Sequence, residues 1–296
     1  MSKIALFSIF VLIIGVLACE SGITDGQVDL DDENGQVFNC SKFSYADSIF
    51  FINSLTDNKI RPLENLAGRF TAFPEGLKID TLTGEIDINK SETGLRYRIS
   101  FRPVSSPNTT CEFSLIIGGV NYLDKVYVIN QNDFLAKPIF NGVLSGLSPC
   151  DDDDDDDDND FDDDDECKFD EDGPSGLKLA DLGVEINKNT GVIDLKKTLE
   201  NKVFGENPAN GSTIEAKLYY RLQDRSLGAL NGINLKIFYF RTLNDVPQSL
   251  LNQIEEKRSG IMEQIEGVSF ENARLRTDNP NVKPRPPFLI IVASIE

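Results

Sequence analysis

Apolar and polar residues alternate with a period of two over much of the chain. Leu77 and Ile79 alternate with Lys78 and Asp80, and Ile86 and Ile88 with Glu85 and Asp87. This predicts two short strands with one buried face each, joined by a turn at Thr83-Gly84, where Gly84 takes a positive φ that a side chain would penalise. The alternation returns at Leu95–Phe101, Phe113–Ile117 and Lys125–Ile129, and again at Ile214–Leu222, Leu235–Phe240 and Phe288–Val292. Period-two segments separated by Gly, Asn and Pro predict antiparallel sheets, so the fold class is all-β. One segment departs from the pattern. Asp245-Val246-Pro247 reads as a helix start, and Leu250, Leu251, Ile254, Ile261 and Ile265 then share one face, giving a helix over about 246–266. Gly260 weakens its middle by ~1 kcal/mol relative to alanine. Such a helix packs on a sandwich between its last strands, and Lys283–Pro287 leads stiffly into the final strand.

The chain repeats itself. Gly76–Ser91, GLKIDTLTGEIDINKS, aligns without gaps on Gly183–Thr198, GVEINKNTGVIDLKKT, at an offset of 107 with seven of sixteen positions identical. That offset is the length of one small β-sandwich, so the reading is two tandem sandwich domains, 39–135 and 136–296. The segment FPEGLKIDTLTGEIDINKSETGLRYRISF resembles the immunoglobulin-like repeats of bacterial surface proteins, related to cadherin-like sandwiches. Pro74, Gly76, Leu77, Thr83, Gly84, Gly94 and Tyr97 fill the places of that signature. The second copy keeps Thr190-Gly191, has Val184 for Leu77, and carries an insertion around Asn201–Ser212. The resemblance implies two immunoglobulin-like domains with a scaffold, adhesive or binding role and names no partner.

The N-terminus carries the most specific signal. Lys3 precedes a 14-residue apolar run, Ile4–Leu17, shorter than the ~20 residues of a spanning helix. It ends at Val16-Leu17-Ala18-Cys19, which resembles the lipobox of bacterial lipoproteins. That resemblance implies a signal peptide over 1–18 and lipidation of Cys19, with palmitate among the acyl groups. Residues 19–38 carry six acids and no base, have no apolar periodicity, and read as an acidic flexible tether. The acids after the lipid cysteine look like those of surface-exposed lipoproteins of the Bacteroidota. This implies a protein anchored in the outer membrane and exposed at the cell surface. Asp47-Ser48-Ile49 and Asp80-Thr81-Leu82 likewise look like the O-glycosylation acceptor triplets of that phylum.

Of five cysteines, lipidation removes Cys19. Cys40, Cys111, Cys150 and Cys167 remain, and they allow three connectivities. Locality favours Cys40–Cys111 and Cys150–Cys167, in an oxidising compartment outside the cytoplasm. Between the second pair lie sixteen residues, fourteen of them acidic. They are Asp151, Asp152, Asp153, Asp154, Asp155, Asp156, Asp157, Asp158, Asp160, Asp162, Asp163, Asp164, Asp165 and Glu166. Such a run repels itself, and closing it into a loop concentrates oxygen ligands suited to calcium. The order of residues does not match an EF-hand loop, so the expectation is weak, diffuse Ca²⁺ binding set against a solvated spacer.

The total charge of −20 is unevenly placed. Residues 19–38 contribute −6 and residues 151–172 contribute −16, which leaves the remainder at +2. Neither acidic segment suits nucleic acid, so no nucleic-acid partner is expected. The chain has no histidine, which closes Ser-His-Asp and Cys-His catalysis and His-based zinc sites. G-x-S-x-G, P-loop and dinucleotide fingerprints are absent, and a glycosidase carboxylate pair cannot be singled out. The sequence therefore reads as a lipid-anchored, non-catalytic binding, adhesion or structural module with an unknown protein or glycan ligand. The alternative is an accessory glycan-binding lipoprotein of an outer-membrane nutrient uptake system, with weak hydrolase activity.

Overall fold

The computed structural model describes residues 37–142, 149–150, 167–174, 177–263, 274–275 and 286–295. In chain order the strands begin with β1 (Ile49–Phe50), β2 (Lys59–Ile60), β3 (Gly68–Phe73) and β4 (Ile86–Asp87). They continue with β5 (Leu95–Pro103), β6 (Cys111–Ile117), β7 (Gly119–Tyr122), β8 (Lys125–Val128), β9 (Leu135–Ala136) and β10 (Pro138–Asn141). Then come β11 (Lys168–Phe169), β12 (Glu185–Ile186), β13 (Ile193–Asp194), helix α1 (Leu195–Glu200), β14 (Ser212–Arg221) and β15 (Asn231–Thr242). Helix α2 (Gln248–Ile261), the short pair β16 (Met262–Glu263) and β17 (Arg274–Leu275), and β18 (Phe288–Ser294) complete the set. The fold is all-β, with α2 inside the 246–266 range that helical periodicity gave; Ile265 lies outside the described residues.

The first sheet has the order β1-β6-β5-β3 and the second β11-β14-β15-β18-β8. Each strand of the first sheet has a counterpart in the second. β3 is antiparallel to β5, with Phe70 opposite Phe101, and β11 is antiparallel to β14, with Phe169 opposite Tyr220. β5 pairs β6 as β14 pairs β15. β1 lies parallel to β6, but its counterpart β8 is separated from β15 by β18, which runs parallel to both neighbours. A parallel pair needs a crossover connection, and the segment containing α2 provides it. Lys125–Val128, which the sequence reading set in residues 39–135, thus serves the second sheet. Its register, with Leu289 opposite Lys125, decides that membership.

Alternation explains the packing. In β5, Leu95, Tyr97, Ile99 and Phe101 point into a core shared with Phe43, Phe70, Ile86 and Leu115. A second core gathers Phe169, Leu195, Leu218, Tyr220, Leu235, Ile237, Leu289 and Ile291. Helix α2 sets Leu250 and Ile254 against Phe240, Phe288, Ile290 and Val292, on the opposite side of the second sheet from that core. At ~25 cal/mol per Å² of apolar area, these clusters are where burial stabilises the chain.

The repeated hairpin is shorter than its alternation predicts. Ile79 makes a single bridge to Ile86, and the returning strand stops at Asp87. The cause is local capping: the Asp87 side chain accepts from the Lys90 amide at 3.2 Å and turns the chain into a 3-10 turn. Asp194 accepts from the Lys197 amide at 2.9 Å and starts α1 in the same way.

Candidate functional site

The repeat is reproduced bond for bond. Asp80 accepts from the amides of Leu82 and Thr83 at 2.9 and 2.8 Å, and Asn187 accepts from those of Asn189 and Thr190, both at 2.9 Å. Gly84 and Gly191 have φ of 70° and 72°. A Cβ would meet the Phe70 ring at 2.8 Å in one copy and the Phe169 ring at 2.5 Å in the other. Their carbonyls accept from buried hydroxyls, Tyr45 at 2.7 Å and Tyr122 at 2.6 Å. Burial raises the pKa of both tyrosines, since a phenolate there would lose its hydration. The backbone donors hold Asp80 below the usual carboxylate range. All of this is scaffold. Tyr97 and Gly94 of the signature are scaffold as well: the Tyr97 hydroxyl donates to the Glu92 carbonyl at 2.8 Å, and a Cβ on Gly94 would meet the Val120 carbonyl oxygen at 2.6 Å.

The four cysteines form Cys40–Cys111 and Cys150–Cys167, with Cα separations of 5.3 and 5.4 Å. Cys150 and Cys167 are buried in the second core. Asp151–Glu166, Cys19, the segment 1–18 and the tether as far as residue 36 lie outside the described residues. The acids that follow the run are already engaged. Asp170 accepts from the Leu179 and Ala180 amides at 2.6 and 3.0 Å, Glu171 lies 3.5 Å from Arg221, and Asp172 lies 3.1 Å from Lys178. Among the described residues, His, Cys, Asp and Glu do not gather in threes as a metal site needs. No helix among them is long and apolar enough to cross a membrane.

Polar contacts run between the elements around the two cores. Tyr220 accepts from the Val120 amide at 2.8 Å, Thr93 donates to the Asn231 side chain at 2.7 Å, and Asn141 donates to the Gly94 carbonyl at 2.8 Å. Arg225 lies 3.5 Å from Asp47 and over the Phe51 ring. These groups are satisfied by one another, as buried polar groups must be. Ser48 and Thr81, the hydroxyls of the two acceptor-like triplets, are both exposed.

Two surface features were not singled out by the sequence reading. One is a shallow groove of about 430 Å³ lined by Phe38, Lys42, Leu66, Ala67 and Val104. The other is the outward face of the first sheet. There Arg96, Arg98, Ser100 and Arg102 alternate along β5, with Arg69 and Thr71 on β3 and Glu112 and Ser114 on β6. Arg69 stands directly opposite Arg102. The string LRYRISFR already shows an arginine at alternate positions; only the strand pairing brings Arg69 beside them.

No family model matches the chain, and no curated protein matches it. Among solved structures it is similar to a SusE-like surface-located polysaccharide-binding protein from the heparin utilisation locus of Bacteroides thetaiotaomicron. The identity is 15%, over 67% of this chain and 33% of that one, with a TM-score of 0.21. It is also similar to extracellular domains 3–5 of Drosophila OTK, at 10% identity over 67% and 64% of the two chains and a TM-score of 0.18. A third likeness is to the human desmocollin-1 ectodomain, at 10% identity over 67% and 37% and a TM-score of 0.19. The chain thus spans less than two thirds of the length of each. Scores at this level carry no functional argument.

Proposed function

We propose that this chain is a cell-envelope lipoprotein, anchored in the outer membrane through Cys19 and exposed at the surface, that acts as a non-catalytic binding or adhesion module of two immunoglobulin-like domains. The observation that carries the reading is the pair of main sheets, each with its own core, the same Tyr-to-Gly turn and a disulfide. Disulfides of this kind persist outside the cytoplasm, and the lipobox-like Val16-Leu17-Ala18-Cys19 supplies the anchor. The buried side chains are committed to scaffold, which leaves binding to outward faces.

Metabolic labelling with palmitate tests the anchor. Wild-type protein takes up label, Cys19→Ala does not, and protease added to intact cells removes the wild type. Wild type without label would overturn the anchor, and labelled protein resistant to protease would overturn the surface location.

A further inference from the structure

We propose that the slot between β8 and β15 is a self-association site, which takes the Phe288–Ser294 strand of a second copy of this chain in place of its own. Two copies that trade this strand are held together by the same contacts that close each half.

The slot recognises a strand from both edges and both faces. Phe288 to Val292 stand opposite Lys236 to Phe240 of β15, and Leu289 to Val292 opposite Lys125 to Val128 of β8, parallel in each case. The Lys236 amide donates to the Pro287 carbonyl at 3.0 Å, at the start of that register. Five consecutive apolar residues, Phe288–Val292, are each at most 8% exposed. Alternation sends them to opposite sides of the sheet. Leu289 and Ile291 enter the core with Phe169 and Leu218, while Phe288, Ile290 and Val292 join Leu250 and Ile254. Every one of these partners lies within 125–254, well before the lead-in to β18.

The matching place in the first sheet is secured covalently. There β1 lies parallel to β6, and Cys40, nine residues before β1, is bonded to Cys111, the first residue of β6. The other disulfide, Cys150–Cys167, makes no such link to β18. What ties β18 to its own copy is the connector from β17, which pairs with β16 and lies against β5. Twelve residues separate Leu275 from Phe288, an extended reach of about 40 Å. The seven residues of β18 span about 23 Å. A connector that outreaches the strand it delivers does not dictate whose slot the strand fills. The chemistry of the slot does: an occupant needs five successive apolar side chains in parallel register with both neighbours, and a second copy carries that strand by identity. Reciprocal exchange is isologous and leaves neither slot open.

Thr242 stands opposite Ser294 near the end of β18. The test therefore uses the full chain with Thr242→Cys and Ser294→Cys, and with Cys19→Ser so that the new pair holds the only thiols outside the two disulfides. The chain is unfolded in urea with its disulfides intact, refolded at about 100 µM and about 1 µM, and separated by size. The dimer fraction is larger by roughly tenfold or more at the higher concentration. Mild oxidation then closes the new pair between chains in the dimer and within one chain in the monomer, read as doubled and single mass on a non-reducing gel. A chain that stays monomeric at both concentrations, or a dimer whose new pair closes within each chain, overturns the proposal. Because Thr242 also bonds Asp245, a second measurement keeps every side chain of the slot. Two differently tagged wild-type chains give a mixed dimer when refolded together and none when mixed after folding. Mixed dimers from chains already folded would mean contact between finished surfaces, and would overturn strand exchange as well.

Discussion

The two halves of the molecule share a turn and differ in the face they show to solvent. Around Gly84 and Gly191 the same donors meet the same acceptors, down to a tyrosine hydroxyl on the glycine carbonyl. On the outward sides one sheet sets Arg69 opposite Arg102, while the other pairs Arg221 with Glu171 and Lys236 with Glu215 and takes a helix against it. The difference separates what folding needs from what it leaves free. The turn is set by steric and hydrogen-bonding demands that hold its glycine and its Asp or Asn acceptor in place, whereas the outward face is free to diverge once the core is closed.

The comparison can be broken or sharpened, beginning with the covalent links. Cys40–Cys111 closes a sequence separation of 71 residues and Cys150–Cys167 one of 17. On the loop-closure argument, replacing both cysteines of a pair by serine costs about 4 kcal/mol for the first and about 3 kcal/mol for the second. Urea unfolding measures both. A larger loss from the second pair would show that the run between Cys150 and Cys167 contributes more than its closure.

Next come the tyrosines. Tyr45→Phe and Tyr122→Phe each leave a glycine carbonyl in a buried turn without its donor, at about 1–3 kcal/mol. If the copies are equivalent, the two losses agree within about 0.5 kcal/mol. A wider gap would mean that matching geometry hides different energetics.

The smallest effect is a titration. Asp80 has its pKa lowered by the Thr83 and Leu82 amides, whereas Asn187, in the same turn of the other copy, does not titrate. A carboxylate lowered on folding stabilises above its unfolded pKa of ~3.9, and that contribution is lost as pH falls through the folded value. Asp80→Asn therefore leaves the melting temperature near neutral pH almost unchanged and reduces its fall between about pH 5 and pH 2. Asn187→Asp should install the same acid sensitivity in the second half. If neither variant changes the slope, the two turns do not share an electrostatic role.

How far the sequence led depends on how local each feature is. The turn was legible because Asp80, Thr83 and Gly84 bond with one another within five residues, and so do Asn187, Thr190 and Gly191. The strands were legible from alternation, and α2 from its apolar face. The two disulfides follow the local pairing. The place of β18 was not legible: a parallel strand reached through a long crossover leaves no turn to mark its neighbours, and Phe288–Val292 would alternate equally well at an edge. The same blindness set Lys125–Val128 in the earlier half. The arginine face was half legible, since β5 shows its alternate arginines while Arg69 joins them only through register.

The wedge of β18 between β8 and β15 also orders events in time. The first sheet has all its strands once Ile117 has been made, so that half can close early. The second must hold β8 and β15 apart, each with an open edge, until the residues up to Ser294 arrive to fill the gap. Open edges invite pairing with other chains, and long-range parallel pairing is slow. Folding is therefore vectorial: the half built on β1, β3, β5 and β6 is finished first, and the half built around β18 waits for that strand.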